Sequence, residues 1–174
     1  MGWHLDLWNS KRGSAAAELA LSLPVFFAIL FGATEAGFYF YNEHKLTESV
    51  RDGARFASRQ GFSDYPCGGA MDATTQGDII EVVRTGKVNG TEDRLPRMDE
   101  GTFNVTFTCI SQMETKPGSG SHVPVGGIYT SAGEAPVVTI DAAVPYQSLF
   151  GFVYGFPSGG IWLNADQQTT VNGV

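Results

Sequence analysis

The residues able to make or break bonds are few and badly spaced for it. His4, His44 and His122 lie far apart, and with Cys67 and Cys109 they do not reproduce the ligand spacing of a zinc site. No Gly-rich loop ends in Lys followed by Ser or Thr, and no dinucleotide-binding glycine fingerprint is present. Ser and Asp are abundant, yet no nucleophile elbow appears. His122 with Asp141 is at most a polar pair at the surface. The sequence therefore predicts no catalytic residue, no cofactor and no metal. One acid stands out for a different reason. Glu18 sits at the start of an apolar run, beside Ala15, Ala16, Ala17 and Leu19, with no cation next to it. A carboxylate placed in hydrocarbon is costly and usually has a partner or a function.

The element that must position Glu18 is that apolar run. Leu19–Thr34 is sixteen residues without a charge, and twelve of them are Leu, Ala, Val, Phe or Ile. The run extends from Ser14 to about Tyr41, interrupted only by Glu18 and Glu35. A helix needs roughly 20 residues to cross about 30 Å of hydrocarbon, so a transmembrane segment is expected over about 15–40. Lys11 and Arg12 precede it, which predicts a cytoplasmic N-terminus and an external C-terminal bulk. Glu18 and Glu35 are about 25 Å apart on a helix, close to opposite interfaces, and Glu35 is expected to reach the headgroups. Pro24 removes one backbone hydrogen bond and invites a kink or local unwinding. Gly32 and the alanines allow close helix packing.

Helical periodicity continues past the apolar run. Leu46, Val50, Ala54 and Ala57 recur on one face, and Glu48 with Arg51 is spaced for a pair. Gly61 is a credible stop. One helix is expected over 14–60, about 70 Å long, lipid-like in its first half and amphipathic in its second. Thus the chain divides into a leader over 1–13, the long helix, and an outer domain over 61–174.

The stretch from Lys11 to Ala57, KRGSAAAELALSLPVFFAILFGATEAGFYFYNEHKLTESVRDGARFA, resembles the N-terminal segment of the TadE-like proteins. These are minor pilins, or pseudopilins, of the tight-adherence (Flp) pilus system of bacteria. The resemblance rests on Lys-Arg-Gly, the small-residue stretch with Glu18, Leu23-Pro24, Gly32 with Glu35, and Arg51 through Ala57. Leu19 departs from it, since many relatives carry an aromatic residue after the Glu. The resemblance implies cleavage by a prepilin peptidase between Gly13 and Ser14. Glu18 is then the fifth residue of the mature chain and pairs with the new amino group of a neighbouring subunit. It further implies other pilins, an inner-membrane platform, a motor ATPase and a secretin as partners, with a role in pilus assembly and surface adherence. Two alternatives stay open: a membrane-anchored scaffold of a secretion machine that does not polymerise, and a periplasmic binding domain with a signal peptide.

The 174 residues carry 11 Lys or Arg against 18 Asp or Glu, a net charge of −7. That balance argues against nucleic acid as a partner. Residues 62–174 hold twelve acidic and five basic side chains, so the charge belongs to the outer domain. There Asp72 or Thr74 is expected to cap a short helix over 76–85. Alternation predicts strands over 103–109 and 137–144, with a third within 161–171. Loops are expected over 116–121 and 131–136. The aromatic-Gly stretch 149–160 reads as a strand, an aromatic loop or a membrane-touching hairpin. Outside the cytoplasm Cys67 and Cys109 are expected to form a disulfide, the alternative being two separate buried thiols. Together these elements predict a pilin-like α+β fold, in which the outer half of the long helix packs on a small antiparallel sheet.

Overall fold

The computed structural model describes residues 11–115, 117–151, 155 and 160–173. Most of the expected leader, residues 1–10, lies outside the described residues. So does much of the aromatic-Gly stretch, at 152–154 and 156–159.

The first helix, α1, spans Lys11–Ser58 and passes through Pro24 without unwinding. Pro24 lacks only one N–H donor, and a long helix absorbs that loss. The helix stops earlier than expected, because Gly61 is not its cap. The Arg59 and Gln60 amides donate to the Phe56 and Ala57 carbonyls at 3.1 and 3.2 Å, tightening the last turn. Gly61 has φ −68° and instead opens a short 3₁₀ turn over Phe62–Asp64, its N–H donating to the Asp64 carboxylate.

Helix α2 spans Ala73–Thr85. Asp72 is the cap: its Oδ2 accepts from the Thr74 and Thr75 amides, both at 3.0 Å. The other end closes on Gly86, whose φ of 86° lets its N–H reach the Val82 carbonyl at 2.8 Å. Ile79, Val82 and Val83 are buried on the face turned to α1 and the sheet.

Five strands follow: β1 Thr102–Ile110, β2 Gln112–Glu114, β3 His122–Pro124, β4 Ala135–Pro145 and β5 Trp162–Thr170. The main sheet has the order β1-β4-β5, antiparallel throughout. Alternation sends Val138, Ile140, Ala142 and Val144 of the central strand inward and leaves Asp141 outside. The upper half of α1 lies on the inner face, contributing Leu46, Val50, Ala54 and Ala57 to the same core. The fold is therefore α+β, with a long helix on a small antiparallel sheet.

Of the expected loop over 116–121, residues 117–121 lie in the turn of a β2–β3 hairpin, closed by the Thr115 amide on the Ser121 carbonyl at 2.9 Å. Three-residue exposed strands carry too little periodicity to be read from sequence. The other expected loop is shorter than 131–136, since Ala135 and Pro136 belong to β4 and face Ile110 and Cys109. Cys67 and Cys109 are joined as a disulfide with Cα atoms 5.8 Å apart, tying the segment after α1 to β1.

Charge pairing also departs from local spacing. Glu48 pairs with His44 at 3.1 Å rather than with Arg51. Asp52 takes Arg94 at 2.7 Å, 42 positions away, and Arg55 at 3.6 Å. His122 lies 4.0 Å from Glu114 across the hairpin, not against Asp141.

Two substitutions test this packing. Gly53 of α1 packs against α2, and a Cβ there would fall onto Cγ2 of Val83, with Ile140 Cδ1 3.5 Å away. Gly53→Ala gains roughly 1 kcal/mol of helix propensity, against about 1–3 kcal/mol of overpacking. Thermal unfolding of the full chain in detergent should therefore give a lower midpoint. Replacing both cysteines by Ser should cost about 2–4 kcal/mol in the same assay.

Candidate functional site

The lower part of α1 stands clear of the domain. It includes the one helical stretch, among the described residues, long and apolar enough to cross a membrane, and that stretch is not buried by the rest of the chain. Leu19, Leu21, Val25, Phe26 and Ile29 are each at least 60% exposed. Burying such surface in lipid, or against another helix, recovers about 25 cal/mol per Å². Glu18 lies on this stretch and is exposed, with no hydrogen bond or ion pair among the described residues. Gly13 and Ser14, the expected cleavage pair, lie in the first turn of α1.

Phe31 is in contact with the domain, its ring packing on Phe150 with centroids 4.9 Å apart. One turn further on is Glu35, whose partners within the chain the sequence does not show. The carboxylate is half-buried and turned toward the loop that leaves β4. Tyr146 Oη donates to Glu35 Oε1 at 2.7 Å. The Phe150 amide donates to Oε2 at 2.9 Å, and the Leu149 amide lies 3.2 and 3.1 Å from the two oxygens. Three donors from one loop thus converge on a single carboxylate.

Tyr146 sits at the centre of this clasp. Its ring packs on Phe38 and Tyr39, with centroids 6.1 and 5.3 Å away, and it is 4% exposed. Burial, and secondly the Glu35 carboxylate, hold its hydroxyl above the ordinary phenol range, so it remains a donor to Glu35. Beside the clasp is an apolar hollow of about 380 Å³. Gly32 and Ala36 line it from the helix, and Tyr146 and Ile161 from the domain. Gly32, expected as a helix-packing position, here leaves room beside its own domain.

The clasp joins the loop after β4 to α1. It fixes where the domain sits along α1. Sequence reasoning picked out Glu35 but missed its partners, which lie 111 to 115 positions away. No local spacing encodes such a contact. The Cys67–Cys109 pair lies at the far end of the domain from the apolar stretch and has no part in the clasp.

Residues 13–55 match the family model described as TadE-like protein. That likeness covers about a quarter of the chain. The match runs from the expected cleavage site through Glu18, Pro24, Gly32 and Glu35 to Arg55, and it ends inside α1. The family description carries with it a pilin-like role associated with the Tad pilus. No curated protein and no solved structure matches the chain significantly. The outer domain is thus described by its own packing, beyond the TadE-like segment.

Removing the clasp has a measurable signature. Charge-assisted hydrogen bonds contribute roughly 1.5–3 kcal/mol when buried and less when half-exposed. Glu35→Ala should raise hydrogen exchange at the Leu149 and Phe150 amides by about tenfold or more. Tyr146→Phe should have a smaller effect, because both amide donors remain. Equal protection in wild type and Glu35→Ala would show that the loop holds itself.

Proposed function

We propose that this chain is a minor pilin, or pseudopilin, that takes part in assembling a Tad (Flp) pilus and so supports surface adherence. The observation that carries the reading is a coincidence of extents. The TadE-like segment begins at Gly13 and covers the apolar helix that the domain leaves bare, with Glu18 on it.

In this reading α1 crosses the inner membrane once, with the N-terminus in the cytoplasm and the sheet domain outside. Lys11 and Arg12 hold the cytoplasmic side. The spanning segment is the one expected over 15–40, with its outer end, around Phe31 and Glu35, against the domain. The disulfide suits an oxidising compartment on the outer side.

A prepilin peptidase cuts between Gly13 and Ser14. Glu18 then meets the amino group of a neighbouring subunit. A carboxylate and an ammonium are each costly in hydrocarbon and far less so together, so the pair sets the axial register between copies. Other pilins, an inner-membrane platform, a motor ATPase and a secretin are the partners this role requires.

The N-terminus decides among the readings. Mass spectrometry of the membrane-bound protein should find the mature chain starting at Ser14. A start near Ala36 or beyond would replace the pilin reading with a signal peptide, and an intact Met1 would favour a static scaffold. Glu18→Gln should leave insertion unchanged while sharply reducing pilus assembly, counted on intact cells. Normal piliation by that variant would remove the pairing role.

A further inference from the structure

The upper half of α1 carries a second surface that the TadE-like reading does not use. A cleft of about 470 Å³ opens between this part of the helix and the segment around Arg94. Lys45, Arg51, Arg55 and Arg94 line it, against only Glu48 and Asp52. That is a local excess of cations in a chain whose net charge is −7. Glu48 is taken up by His44, while Asp52 is shared by Arg94 and Arg55. Arg51 is exposed and has no ion pair among the described residues. The floor includes Ser49, which is 1% exposed and whose Oγ has no hydrogen-bond partner. A buried hydroxyl without a partner is rare, and here it lines a basic cleft. The cleft therefore presents an excess of positive charge, with Arg51 free to meet an acidic group.

A complementary surface lies on the far side of the same domain. Asp141 of β4 and Asp166 of β5 are directly opposed in register, and both are exposed on the outer face of the sheet. Like charges placed opposite one another repel, and neither has an ion pair among the described residues. Three other acids of the domain are already engaged. Asp93 pairs with Arg84, Glu100 with Arg97, and Asp72 caps α2. Small Ala143 beside the two aspartates leaves a depression of about 260 Å³ there.

The height of the cleft selects its occupant. Arg51 lies about 16 Å of helix beyond residue 40. The polar headgroup layer adds only roughly 5–7 Å beyond the hydrocarbon. A lipid phosphate therefore does not reach Arg51, whereas the outer domain of a neighbouring chain stands at that level.

We propose that the Arg51–Arg55 cleft of one copy docks on the Asp141–Asp166 row of a second copy. The two surfaces lie on the helical layer and on the opposite face of the sheet. The contact is therefore heterologous, joining copies head to tail rather than as a closed pair. It rests on the reading that copies are gathered side by side, and it gives the outer domains an alignment independent of Glu18.

The test uses the purified full chain in nanodiscs, with association read by sedimentation and folding checked by thermal unfolding. Arg51→Glu and Arg55→Glu should each weaken self-association by about tenfold at low salt, and so should Asp141→Arg combined with Asp166→Arg. Mixing the Arg51→Glu chain with the doubly Arg-substituted chain should restore association, because the reversed charges again match. Association unchanged by both sets of variants, or not restored in the mixture, overturns the docking. An Arg51→Glu effect confined to nanodiscs containing anionic lipid also overturns it, in favour of a lipid phosphate. None of these outcomes touches the cleavage at Gly13, so the pilin reading stands or falls separately.

Discussion

The clasp on Glu35 is the contact on which the rest of the arrangement depends. A carboxylate at the edge of an apolar helix is a poor place for a charge unless donors replace the lost water. Tyr146 and the amides of Leu149 and Phe150 supply them from one loop. Because amide donors have fixed directions, the loop can satisfy Glu35 in only one register along α1. The end of β4 is thereby held at a set height on the helix, and β4 is the strand on which the whole sheet is organised. Moving the domain by one helical turn would leave both the carboxylate and Tyr146 without partners.

That height divides α1 between two solvents. Below Phe31 the helix is apolar nearly all round, as a lipid-facing helix must be. Above it, Leu46, Val50, Ala54 and Ala57 make a single stripe that the sheet and α2 cover. The aromatic residues Phe31, Phe38, Tyr39, Tyr146 and Phe150 occupy the boundary. Tyr146 suits this level, since its ring packs among aromatics while its hydroxyl meets a charge. A three-stranded sheet with one bare face has little core of its own. The helix that carries the domain is also one of the two layers that make it fold.

How much of this was legible follows from the range of each interaction. The long helix, α2 and the three main strands show in sequence because their periods of 3.6 and 2 repeat over many residues. Asp72 is readable as a cap, since it acts two and three positions away. Contacts that join distant segments leave no such trace. The Glu35 clasp and the Asp52–Arg94 pair depend on how the domain folds back on α1. Neither partner stands within a few residues of its acid. The β2–β3 hairpin escaped notice for want of length. Gly61 misled because a glycine after a helix need not adopt positive φ, and here an Asp64 carboxylate holds it otherwise.

Two acids on one helix thus have opposite standing. Glu35 is saturated by its own chain, so inserting or assembling the protein does not require it to find anything new. Glu18 is exposed, and no donor among the described residues meets it. In water this costs little, because Glu18 is hydrated. In hydrocarbon the cost rises by several kcal/mol unless a cation arrives. A membrane therefore turns Glu18 from a neutral feature into a demand for a partner, while leaving the Glu35 clasp intact. The chain is complete as a folded domain and incomplete as a membrane helix. The proposed role in assembly draws on that asymmetry.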